Sequence, residues 1–199
     1  MEDNQNPLPT EFEQPQFAQA KPMMPFWTAV KTCFKKYFDF KGRARRSEYW
    51  WFILFIFIIS IVWSLIYMYF LMTIEPFNDT LAFSTYLKTT GLMILPMLFL
   101  VIPQWAVLTR RLHDSGHSGW WVVASLAVSF IYMIVYYSMM YQVYKNIENM
   151  EYTPVSLPMT IISVILALAV LVIGIILLVF TIQDSKREEN KYGPSPKYQ

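Results

Sequence analysis

The chain has 199 residues, of which 55% are hydrophobic, 18% aromatic and only 15% charged. Soluble domains carry roughly a quarter charged residues, so this composition excludes an ordinary soluble domain. The single cysteine excludes an intramolecular disulfide, and a net charge of +2 gives no argument for nucleic acid.

Residues 1–25 are acidic and Gln/Pro-rich. They lack the apolar stretch of a cleavable signal peptide, and a disordered cytoplasmic tail is expected. From Phe26 the pattern changes. Phe26, Trp27, Val30, Phe34, Tyr37 and Phe38 recur at helical spacing, with Thr28, Lys31, Thr32, Lys35 and Asp39 on the opposite arc. This predicts an amphipathic interfacial helix over 26–41, ended by Gly42 and lying on the bilayer surface. The alternative is packing on a soluble partner or on the bundle's own end. Cys33 reads as a small apolar filler on this helix. Arg43-Ala44-Arg45-Arg46-Ser47-Glu48 then climbs into the first apolar stretch, where Tyr49-Trp50-Trp51 anchors it at headgroup level.

Four windows contain no Asp, Glu, Lys, Arg or His: 49–74, 89–109, 119–144 and 156–183. A bilayer core of about 30 Å needs about 20 apolar residues of helix, so each window qualifies as a span. Span one is bulky. Span two contains Pro96 and Pro103 on one face and should kink there. Span three offers Ala124, Ser125, Val128 and Ser129. Span four offers Ser163, Ala167, Val170 and Gly174 at a spacing that lets helix backbones approach. The spans carry no carboxylate, histidine, lysine or arginine, which argues against an ion-coupled transporter.

The links set the orientation. Every Lys and Arg except Lys88 and Lys145 falls before span one, between spans two and three, or after span four. The positive-inside rule therefore predicts cytoplasmic termini, with the link at 110–118 on the same side. The links near 75–88 and 145–155 face outside. Asn78-Asp79-Thr80 in the first of these matches a glycosylation sequon, read here as a chance match.

The segment Arg110 to Trp121 (RRLHDSGHSGWW) is the densest in functional groups. His113, Asp114 and His117 have a spacing that could grip a metal on a helix, but Gly116 and Gly119 argue for a turn. Ser115 or Ser118 with His and Asp lacks the setting of a hydrolase triad. The structural alternative is a rigid turn at the membrane surface. In it Arg110 and Arg111 sit at a helix C-terminus, and Asp114 pairs with one of them or caps the next turn. The turn as a whole pairs with Glu48 or with the Arg43–Arg46 segment.

Three blocks together resemble a known family. They are FKGRARRSEYWWF at 40–52, RRLHDSGHSGWW at 110–121 and ENKYG at 189–193. Their order and spacing resemble the bacterial "domain of unknown function 805" family of small inner-membrane proteins, over about residues 25–196. The resemblance implies a multi-spanning inner-membrane protein and supplies no activity. It groups Gly42, Arg43, Arg46, Glu48, Tyr49 and Trp50 with Arg110, Arg111, His113, Asp114, Ser118, Gly119 and Trp120, and with Asn190, Tyr192 and Gly193. His117 falls where the family pattern is open, which weakens the two-histidine metal idea.

The sequence thus predicts an all-α integral membrane bundle of four transmembrane helices preceded by an amphipathic interfacial helix. The membrane domain is expected over 26–185 and a cytoplasmic tail over 186–199. The function expected is non-enzymatic: one cytoplasmic surface binding anionic lipid headgroups or a protein partner. Its residues are expected to be Arg43, Arg46, Glu48, Tyr49, Trp50, Arg110, Arg111, His113, Asp114, Trp120, Asn190 and Tyr192. Arginine among interfacial aromatics suits phosphate, which guanidinium holds bidentately. The alternatives are a small oligomeric transporter or channel, and a membrane enzyme or metal protein using His113, Asp114 and His117. No cofactor or nucleic-acid partner is expected, and homo-oligomerisation stays open.

Overall fold

A computed structural model describes residues 20–73, 79–149 and 154–198. Within them the chain forms five helices and no strand: α1 (Phe26–Lys35), α2 (Arg46–Thr73), α3 (Asp79–Ser115), α4 (Trp120–Glu148) and α5 (Leu157–Ile182). Three stretches are long and apolar enough to cross a membrane: Arg46–Phe70, Trp120–Val143 and Leu157–Ile182. Their large side chains point outward, as Phe57, Leu65, Phe130, Ile165 and Leu171 do. Such a surface would aggregate in water; in a bilayer it meets acyl chains, while the helix satisfies its own backbone. The fourth expected span falls on α3, part of which lies outside the residues whose side chains are described. Pro96 and Pro103 both lie inside this one helix.

Buried side chains concentrate at one end of the bundle. Cys33, Ala44, Phe52 and Val107 form the core there, with Phe34, Tyr49, Phe55 and Ile56 packed against them. Phe34 of α1 meets Phe52 edge-on at 5.6 Å and Phe99 face-on at 6.0 Å. The Tyr37 hydroxyl donates to the Phe99 carbonyl at 2.6 Å. The amphipathic helix therefore turns Ala29, Val30, Cys33 and Phe34 onto α2 and α3, and among its aromatic residues Trp27 alone is strongly exposed. The apolar stripe thus packs on the bundle's own end, the alternative weighed beside the bilayer surface. The helix is also shorter than 26–41. Lys36 leaves the helical region (φ −103°), and the chain turns before Gly42 makes a second, left-handed bend at φ +78°.

Other boundaries shift as well. Most of the expected 1–25 tail lies outside the described residues, but its last part is held in place. Lys21 N–H donates to the Lys197 carbonyl, and Trp51 Nε1–H donates to the Met24 carbonyl at 2.9 Å. The links expected at 75–88 and 145–155 are shorter, because α3 starts at Asp79 and α4 runs to Glu148. Asn78 of the sequon lies outside the described residues. Gly174 has open space where a Cβ would stand, so among the described residues it makes no close helix approach.

The largest difference concerns the link at 110–118. His113 and Asp114 are not in a turn; together with Arg110 and Arg111, which the sequence places at a helix C-terminus, they form the last turns of α3. Gly116, at φ +87°, ends the helix. Its N–H bonds to the His113 carbonyl at 3.1 Å, and His117 N–H reaches the Leu112 carbonyl at 2.8 Å. This pair of bonds is the Schellman closure of a helix C-terminus, which needs a left-handed residue and so favours glycine. The helix persists past the arginines because both are buried against partners on other elements.

Candidate functional site

The three sequence blocks meet at the buried end of the bundle. The C-terminal segment after α5 folds back across the ends of α2 and α3 and supplies carbonyl groups to their arginines. At the centre is Asp114, which like Arg110 and Arg111 has no solvent exposure. One Asp114 carboxylate oxygen accepts from Arg43 Nε at 2.9 Å. The other accepts from Arg111 and from the Ser185 hydroxyl. Arg43 also donates to the carbonyls of Glu188 at 3.0 Å and Gly193 at 3.1 Å. Arg111 donates through Nε to the Thr181 carbonyl at 3.1 Å and also reaches the Gln183 carbonyl.

Beside this group lies a second buried pair, Arg110 to Glu48 at 2.6 Å. Cys33 sits against it, with its thiol 4.0 Å from the Glu48 carbonyl. Burial, reinforced by the Glu48 charge, pushes the Cys33 thiol up to about 12. The thiol is therefore a packed neutral group and not a nucleophile.

Three arginines face two carboxylates, so one positive charge in this knot lacks an ionic partner. The end of α5 compensates. The last carbonyls of a helix have no partners within it and carry the negative end of its dipole. Arg111 takes the Thr181 carbonyl, and Arg46 takes the Ile182 carbonyl at 3.2 Å. The sequence places no basic residue in the last turn of α5; α2 and α3 provide the cations from outside.

The remaining blocks lock the knot. His113 Nδ1 lies 3.1 Å from the Gly42 carbonyl, and its ring stacks on Tyr192 at 3.6 Å with planes 7° apart. Asn190 Nδ2–H donates to the His113 carbonyl at 3.0 Å, while Asn190 Oδ1 accepts from Tyr192 N–H at 2.9 Å. Ala44 N–H donates to the Arg110 carbonyl at 3.0 Å. These bonds join residues 42–44, 110–114 and 185–193 into one unit.

His113, Asp114 and His117 do not converge. His117 stacks on Phe180 at 3.6 Å and approaches the Ser115 hydroxyl at 3.2 Å, while Asp114 is enclosed by its arginines. Among the described residues no group of His, Cys, Asp and Glu is arranged to hold a metal.

The twelve expected site residues therefore divide. Arg43, Glu48, Arg110, Arg111, His113 and Asp114 are buried, and Asn190 and Tyr192 lock them. They form an interior, not the open surface expected. The pairings expected between Asp114 and an arginine, and between this segment and Glu48 and Arg43, are present. Tyr49 packs on the core. Arg46, Trp50 and Trp120 remain accessible, with the Arg46 side chain 42% exposed.

Arg46 and Trp50 open onto a groove of about 470 Å³ on the same end, also lined by Lys21, Arg45, Trp51 and Lys197. Arg45 is held over it by the Lys21 and Pro22 carbonyls at 2.7 and 2.9 Å. At its rim Asp184 pairs with Arg46 at 2.6 Å and Lys197 at 2.8 Å. Partial burial would raise its pKa, but the bonds from Lys197 and Arg46 hold it well below the usual carboxylate range. Lys21, Arg45, Trp51 and Lys197 are not among the twelve expected site residues. The available signal was the basic run flanking Tyr49-Trp50-Trp51; the folding back of both terminal segments is not visible in any local pattern.

An all-helical bundle with outward apolar faces and an arginine–carboxylate knot at one end defines a membrane protein. The chain belongs to the family described as "Protein of unknown function (DUF805)", whose model matches residues 37–194 and so takes in all three blocks. It is similar to the inner membrane protein YhaH of Escherichia coli, 36% identical over 95 residues, covering 46% of this chain and 67% of YhaH. It is also similar to the inner membrane protein YhaI of the same organism, 35% identical over 89 residues, covering 45% of this chain and 63% of YhaI. No solved structure matches the chain.

Proposed function

We propose that this chain is a non-enzymatic, four-span inner-membrane protein that holds the phosphate of an anionic lipid in the basic groove beside the buried knot. The charged end and both termini lie in the cytoplasm, as the distribution of Lys and Arg supports. The observation that carries the reading is the lining of one groove by Lys21, Arg45, Arg46 and Lys197 together with Trp50, Trp51 and Leu54. The basic groups suit a phosphate, which Arg can grip bidentately. The indoles and Leu54 suit the junction of headgroup and acyl chain, where tryptophan is enriched in membrane proteins. Asp184 offsets part of the positive charge, and an incoming phosphate shares Arg46 and Lys197 with it.

Arg110 and Arg111 are not the headgroup ligands in this reading, since both are fully buried and are paired with Glu48 and Asp114. Their task is to fix α2, α3 and the C-terminal segment so that Arg45, Arg46 and Lys197 point into one groove.

The test is native mass spectrometry of the purified protein with phosphatidylglycerol and with phosphatidylcholine. Each basic group near an anionic surface contributes on the order of 1 kcal/mol, about fivefold in affinity. Arg45→Ala with Lys197→Ala should weaken retention of phosphatidylglycerol by about 25-fold and leave phosphatidylcholine unaffected. Unchanged phosphatidylglycerol retention in a folded double variant would remove this function.

A further inference from the structure

A second cavity, of about 450 Å³, lies between α3 and α4 and shares no lining residue with the basic groove. Its α3 wall carries Trp105, Thr109 and His113, spaced by four and therefore on one helix face. Its other wall carries Gly119, just before α4, and Val122, Val123 and Leu126 of α4. Phe40 and Tyr192 close the charged end, and Trp120 and Val123, both well exposed, stand at its side.

The chemistry of this cavity is set by one nitrogen. The Gly42 carbonyl can only accept a hydrogen bond, so His113 Nδ1 carries the proton and donates it. Burial lowers the His113 pKa, opposed by the Gly42 bond, and keeps the ring neutral at neutral pH. The proton-free nitrogen is then Nε2, a hydrogen-bond acceptor. Stacking on Tyr192 fixes the ring plane. Nε2 has no hydrogen-bond partner among the described residues and reaches Gly119. A Cβ added at Gly119 would stand 3.2 Å from Nε2 and 2.8 Å from the Thr109 methyl. The glycine thus keeps the approach to Nε2 clear of a side chain.

We propose that this cavity binds the head of an apolar-tailed molecule through a hydroxyl group that donates to His113 Nε2. The observed walls fit both parts of such a molecule. A fixed, neutral acceptor lies at the charged end, and an aromatic and aliphatic channel runs from it along α3 and α4. A cationic or anionic head finds no counter-charge in the lining, because His113 is the one titratable group besides Tyr192 there. A hydroxyl on an aromatic ring and a hydroxyl on a glycerol offer the same donor, and the experiment separates the two sources.

The full-length protein in detergent, labelled with ¹⁵N-histidine, is titrated with an octyl hydroquinone and with 1-octanoylglycerol. Each is paired with its O-methylated analogue, which keeps shape and tail but loses the donor. A bound hydroxyl should move the His113 Nε2 resonance upfield, and methylation should weaken binding about tenfold, as expected for one hydrogen bond in a largely apolar site. A response to the hydroquinone alone assigns a ring-borne hydroxyl, and a response to the glyceride alone a glycerol hydroxyl. His113→Phe, which keeps a ring against Tyr192, should erase the difference between each pair. The comparison of parent and methylated probes needs no variant, so it stands even if His113→Phe does not fold. Equal binding of both members of each pair, with Nε2 unmoved, overturns the proposal.

Discussion

Replacing Asp114 by Asn gives the sharpest test of the buried knot. The wild-type carboxylate holds Arg43 through one oxygen and Arg111 through the other, with all three side chains at 1% exposure or less. Asparagine keeps the volume and one acceptor oxygen, but removes the charge between two buried guanidinium groups. Neither arginine can shed its proton, so both stay charged and face each other without a counter-ion. Removing one partner of a buried pair costs about 3–5 kcal/mol, chiefly because a buried charge is left uncompensated. At about 2–4 °C per kcal/mol for a chain of this size, the loss of apparent melting temperature is about 6–20 °C. The assay is thermal unfolding in one detergent, followed by fluorescence-detected size exclusion. Asp184→Asn is the control, since it removes a carboxylate paired with Arg46 and Lys197 whose side chain is 48% exposed. Exposed pairs contribute about 0–1 kcal/mol, so its shift should be at most a few degrees. If both variants melt together near wild type, the knot does not hold the fold and the reasoning fails.

Three further outcomes are expected. Gly116→Ala should lower stability by roughly 1–2 kcal/mol, since its φ of +87° strains any side chain and a Cβ there would overlap the Lys186 side chain; thermal unfolding reads this, and a neutral result contradicts the helix-ending turn. Cys33 should resist maleimide at pH 8 in the folded protein, because burial raises its pKa to about 12, and should react at wild-type protein level once denatured; rapid labelling of folded protein would place it elsewhere. Stability should fall as pH drops below neutral. His113 and His117 both have folded pKa values below the ordinary 6.5, each chiefly from burial. The unfolded chain therefore takes up protons first, and the stabilisation present above 6.5 is lost as pH falls through the folded values. Melting temperatures measured from pH 7.5 to 5 should show this decline, reduced in His117→Asn; a flat profile would indicate solvated histidines.

Much of this architecture is legible along the chain. Uninterrupted apolar windows at 49–74, 119–144 and 156–183 mark the long helices, because length and composition alone decide whether a helix suits a bilayer. The three blocks, and the pairing of Asp114 and Glu48 with arginines, follow from the scarcity of charge: few partners exist for any buried ion. The Gly116 turn is visible too, but its position misled. Charged residues next to glycine look like a loop, and in a soluble-facing segment they would be one. Here the charges point inward from α3, so the helix continues to Ser115. The amphipathic period at 26–38 correctly marks a helix, yet the same stripe fits a bilayer or a protein surface equally well.

Hydropathy and charge act locally along the chain, so the order of residues already defines a helical membrane protein whose basic residues gather at one end. Which of those charged residues are available is settled by folding. Burial and hydrogen bonding depend on residues far apart in sequence. Arg43 and Arg111 are enclosed by carbonyls from 181–193, and Arg46 two positions before Glu48 stays open to the groove. Arginines that read alike in the sequence are divided between the buried knot and the open groove by the return of the C-terminal segment across the helix ends.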